Sequence, residues 1–124
     1  MKPVQIIVYV NAYSLSHNAR MGWRARKRLD DEAKREAHLG WLLAGSPRYS
    51  GRVRVSVVRH GSRLVDPFNL LDGLKAVVDG LFTARGCGIV PDDSPRYLEL
   101  GTVTQAKCKR GDECCIFTIA ELPP

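Results

Sequence analysis

The chain has 124 residues, 44% of them apolar, which suits one compact domain with a single core and excludes two cores. Its 19 Lys and Arg against 13 Asp and Glu leave a net charge of +6, so a polyanionic partner such as nucleic acid competes with the plainer reading of a merely basic protein. The start lacks the long apolar stretch and small-residue cleavage site of a secretory leader, and no later run could span a bilayer, so a cytoplasmic protein with no membrane partner is expected.

Residues 4–10 are rich in Val, Ile and Tyr and predict a strand. Residues 11–22 are polar and irregular, with Ser14, Ser16, His17 and Asn18, and read as a loop. From Trp23 to Leu43, Ala25, Leu29, Ala33, Ala37 and Trp41 recur at helical spacing, with Arg24, Arg26, Lys27 and Arg28 crowding the first turns. Gly45-Ser46-Pro47 ends that helix. In residues 52–59, Val53, Val55 and Val57 alternate with polar neighbours, the mark of a half-buried strand.

Asp66-Pro67 reads as a helix start, because Asp can cap the first turn and Pro is preorganised for its first position. A helix over residues 67–84 follows, with Leu70, Leu71, Leu74, Val77, Val78, Leu81 and Phe82 as its apolar stripe. Its opposite face carries Asn69, Asp72, Ala76, Asp79 and Gly80, with Lys75 at the border. Gly86-Cys87-Gly88 stops the helix, and the prolines of Pro91-Asp92-Asp93-Ser94-Pro95 make a loop. Residues 97–108 and 114–122 then read as two strands of a hairpin turning through Lys109-Arg110-Gly111-Asp112. The order β-α-β-α-β-β implies an α/β (α+β) fold, a small mixed sheet with two main helices packed on it, spanning residues 1–124 as a single domain.

Cys87, Cys108, Cys114 and Cys115 lack the C-x2-C spacing that lets two thiolates share a zinc ion, so reduced thiols buried as small apolar residues are expected rather than disulfides. Asp66, Asp92 and Asp93 sit at element junctions, from which carboxylates can converge on a hard cation such as magnesium. The alternatives are that Asp66 only caps its helix and that Asp92-Asp93 is ordinary turn chemistry.

The segment Leu64-Val65-Asp66-Pro67-Phe68-Asn69-Leu70-Leu71-Asp72-Gly73-Leu74-Lys75-Ala76-Val77-Val78-Asp79-Gly80-Leu81, followed by Gly88-Ile89-Val90-Pro91-Asp92-Asp93, resembles the RusA family of Holliday-junction resolvases. That family shows an Asp-x-Asp-Asn segment entering a helix, a helix Lys, an Asp-(Gly/Ala)-Leu further along, and a later Asp-Asp loop. The strand bearing Val53, Val55, Val57 and Arg59 also resembles the family, as does the passage from Asn11 to Arg28.

The resemblance implies a structure-specific endodeoxyribonuclease that cuts four-way junctions in DNA recombination and repair, working as a homodimer with magnesium, or manganese in its stead. It assigns Asp66, Asp92 and Asp93 to the metal, with their carboxylates within about 8 Å of one another. Asp66, Asp93 and Lys75 are assigned to catalysis. Asn69 corresponds to the motif Asn and is assigned, with Arg24, Arg26, Lys27, Arg28 and Lys107, to contacts with branched DNA. Lys109 and Arg110 are the next basic candidates. The basic helix start could instead be a solvated face paired with Asp30, Asp31 and Glu32, and Lys75 could lie along Leu71 and Phe82.

Phe68 falls where the family has its second Asp, which removes a ligand. Asp72, one turn of about 5.4 Å further on, is the candidate substitute, or else a surface charge. Phe68 could alternatively anchor the helix start as an apolar side chain, and loss of its carboxylate makes a DNA-binding protein with weakened catalysis the alternative function. For the twofold dimer, the free edge of the C-terminal hairpin is the candidate interface.

Overall fold

A computed structural model describes residues 2–10 and 22–124. The expected loop over residues 11–22, with the Asn-bearing part of the family resemblance, falls outside the described residues except for Gly22. The elements are β1 (Val4–Val8), α1 (Trp23–Leu43), β2 (Val53–Gly61), α2 (Pro67–Phe82), β3 (Leu98–Lys107) and β4 (Cys114–Glu121), an α+β architecture in the expected order.

The sheet has the order β1-β4-β2-β3. β4 lies antiparallel to both β1 and β2, with Phe117 opposite Ile6 on one side and Val57 on the other, whereas β3 runs parallel to β2. The expected hairpin of the last two strands is therefore not formed: β2 separates them. The cause is burial. Cys115, Phe117 and Ile119 of β4 are fully buried and belong in the middle of the sheet, while β3 is half-buried along its length and suits an edge. With both sides of β4 paired, it offers no free edge to a second chain, and the sheet's edges are β1 and β3.

Both helices pack on the face that carries Ile6, Val8, Val53, Val55, Val57, Phe117 and Ile119. The alternate β2 residues Arg54, Ser56, Val58 and His60 are exposed or half-buried. α1 ends in a Schellman turn: the Ser46 N–H donates to the Trp41 carbonyl, the Gly45 N–H donates to that of Leu42, and Gly45 takes φ 94°. Gly40 lies so close to β1 that a Cβ there would stand 2.5 Å from the Ile7 carbonyl oxygen.

α2 is buried on two sides rather than along one stripe. Leu70, Leu74, Val77, Leu81 and Phe82 enter the core as expected, but Ala76 and Gly80, expected on the solvent face, are buried as well. They are covered because α1 crosses there: a Cβ on Gly80 would meet Ala37 Cβ at 3.4 Å. Leu71, expected in the stripe, is instead 49% exposed. The helix ends at Phe82, two residues early, where the Thr83 hydroxyl donates to the Asp79 carbonyl. Among the described residues no helix is long and apolar enough to cross a membrane.

Candidate functional site

The linker from β2 to α2 is held by one side chain. Gln105, on β3, accepts from the Val65 N–H (2.9 Å) and donates to the Val65 carbonyl (2.6 Å). The same Gln105 oxygen accepts from Arg59 Nη1 at 2.8 Å, and Nη1 also donates to the Arg63 carbonyl. Val65 precedes Asp66, which caps α2: its carboxylate accepts from the Asn69 N–H at 3.0 Å and from the Asn69 side-chain amide. Pro67 takes the first helical position. The helix start expected from sequence is present, and Asn69 serves it by orienting Asp66.

Phe68 is 85% exposed, so it does not anchor the helix start as an apolar side chain. Leu71, three residues on, shares its side of the helix. Asp72 and Lys75 line a shallow cavity of about 270 Å³ between the helices, together with Asp30, Lys34 and Asp79. Lys75 lines that cavity beside these carboxylates. It lies nine residues past Asp66, about 13 Å of helix rise.

Asp92 and Asp93 are exposed on the loop after α2. The Ser94 N–H donates to Asp92 at 2.7 Å, and the hydrogen bonds from Ser94, with Arg96 nearby, hold the Asp92 carboxyl below the usual range. This loop is tied to the far end of α2 through the Ile89 N–H and the Leu81 carbonyl, and Arg52, just before β2, donates to the Pro95 carbonyl. Asp66 follows the other end of β2. The 16-residue α2, about 24 Å long, thus separates Asp66 from Asp92 and Asp93, and the expected convergence of three carboxylates does not occur within one chain. Among the described residues no group of three or more His, Cys, Asp or Glu side chains is placed to hold a metal ion. The donor set present does not fit a magnesium ion held by three protein carboxylates of one chain.

The basic residues lie toward the same end of the sheet as Asp66. α1 and α2 run side by side in the same direction, since Lys34 and Ala37 meet Gly80 while Asp30 lies by the Asp72 and Lys75 cavity. The first turns of α1, with Arg24, Lys27 and Arg28 exposed and Arg26 half-buried, are therefore level with the start of α2. The Arg24 guanidinium lies over the Trp23 ring at 5.4 Å, and Trp23 is 72% exposed. Lys107 ends β3 opposite Gly61, the last residue of β2. All of these residues lie toward the carboxyl ends of the parallel strands, the end at which open α/β sheets place their ligands.

Sequence reading missed Gln105 and Arg59 as site residues. Arg59 left a visible signal, because it occupies the fourth inward position after Val53, Val55 and Val57. The four thiols are free, and burial pushes the Cys115 thiol up to about 12. No family model matches the chain, and no curated protein matches it at a significant level.

Proposed function

We propose that the chain binds and cuts four-way DNA junctions as a RusA-like, magnesium-dependent endodeoxyribonuclease. The single observation carrying this reading is the gathering, at one end of the sheet, of a fixed carboxylate, Asp66, with the cations Arg24, Lys27, Arg28 and Lys107. A phosphodiester substrate requires such a pairing: cations hold the backbone phosphates without reading bases, and the carboxylate supplies a hard oxygen ligand beside them. Exposed Trp23 and Phe68 add aromatic surface on which unpaired bases at a branch point can stack. Magnesium is commonly held by one or two carboxylates, waters and substrate phosphate, so Asp66 fits a site completed by the DNA. Two symmetric cuts require two such sites, which a twofold dimer joined at the free edge of β1 or β3 would supply.

A second reading, junction binding with little or no cutting, is favoured by Phe68, which puts an exposed ring where the motif has a carboxylate. Incubating the protein with a labelled synthetic junction, with magnesium or with chelator, tests both. Magnesium-dependent nicking supports the nuclease, and retention of the junction without nicking supports the binding protein.

A further inference from the structure

Among the described residues, Arg59 is the one charged side chain that is buried, at 3% exposure. Its guanidinium lies against the backbone of Gly61, where a Cβ would stand 2.5 Å from Nη2. A side chain at position 61 would displace it. Nη1 is engaged by the neutral Arg63 carbonyl and Gln105 amide oxygens, and among the described residues no carboxylate forms an ion pair with it. Cys115, its neighbour across the sheet, stays protonated and supplies no negative charge. Buried charges are ordinarily paired, because removing an ion from water costs several kcal/mol that only an opposite charge and good hydrogen bonds offset.

Arg59 opens onto a cavity of about 500 Å³ that Arg63 and Arg110 also line, with Glu113 as the one carboxylate among the described residues on its wall and Val65, the residue before Asp66, at its edge. The Glu113 carboxylate accepts from the Gly111 N–H. Among the described residues, three guanidinium groups against one carboxylate leave the cavity strongly cationic, and the planar fork of a guanidinium matches two oxygens of a phosphate. We infer that Arg59, Arg63 and Arg110 form an anion pocket that takes a backbone phosphate of DNA next to Asp66. As a DNA subsite it rests on the function proposed above; as a phosphate pocket it stands on its own geometry.

The test uses the full chain and inorganic phosphate as probe, followed by calorimetry and by melting temperature at matched ionic strength in chloride. Wild type binds phosphate saturably and melts higher with it. Arg63→Ala/Arg110→Ala, which changes only exposed side chains, keeps the phosphate-free melting temperature, loses at least about tenfold in phosphate affinity, and weakens retention of a synthetic junction. Arg59→Lys keeps the charge without the fork and gives a smaller loss of phosphate affinity. Absence of saturable phosphate binding, or equal affinity in the double variant, overturns the pocket. Loss of phosphate binding with unchanged junction affinity overturns its role on DNA. If wild type retains no junction while phosphate binding still depends on Arg63 and Arg110, the pocket stands and the proposed function fails.

Discussion

Phe68 sits at the second position of α2, almost wholly in water, one residue past Pro67 and two past Asp66. A carboxylate there would lose no core contact and would face the positive end of the helix dipole, a favourable term of about 0.3–1 kcal/mol. Phe68→Asp is therefore expected to keep or slightly raise the melting temperature while increasing magnesium-dependent nicking of a junction. Differential scanning calorimetry and a nicking assay on the same preparations check this, and a fall in nicking with stability intact would mean that the motif is misaligned. Gln105 carries the opposite expectation. Its amide satisfies both backbone groups of Val65 and the Arg59 guanidinium, so Gln105→Ala leaves buried polar groups unpaired and should cost about 1–3 kcal/mol in urea unfolding. A smaller cost that leaves amide exchange at Val65 unchanged would show that the linker holds without the clamp.

At the scale of elements, the close crossing of α1 over β1 depends on Gly40. Gly→Ala in a helix interior normally gains about 1 kcal/mol, but here the new methyl would overlap the Ile7 carbonyl, so the displacement of α1 should outweigh that gain. Gly40→Ala is expected to lower the midpoint of denaturant unfolding; a raised midpoint would show that the helix shifts freely. This contact could not be read from sequence, because helical periodicity specifies a buried face and not how closely a neighbour approaches it.

The same limit explains the other departures. The alternation of Val53, Val55 and Val57 and the Asp66-Pro67 signal are local, and both hold in the structure. Strand pairing is not local. Residues 114–122 read as the second arm of a hairpin because a turn precedes them, yet the buried set of β4, Cys115, Phe117 and Ile119, places that strand between β1 and β2. Ala76 and Gly80 read as a solvent face because α1 had no assigned place above them. Within the candidate site, Asp66 was legible from its capping pattern, while Gln105 was not, since its role comes from β3 lying beside the linker.

For the whole molecule, the sheet has a basic end bearing Asp66 and an opposite end bearing Asp92 and Asp93, where Arg52 and Arg54 pair with Glu99. If the first end meets DNA, Arg24, Lys27 and Arg28 displace counterions, so junction affinity should fall steeply with salt, and removing two of these charges should reduce the log–log slope by about 2. An unchanged slope would move the DNA from this end. The measurement that bears most directly on the proposed function is a gel-shift and nicking experiment comparing a synthetic four-way junction with linear duplex of the same sequences, with magnesium and with chelator. The proposed function predicts selective retention of the junction in both conditions and paired nicks near the branch point with magnesium alone. Equal retention of linear duplex, with no nicks in either condition, would contradict it.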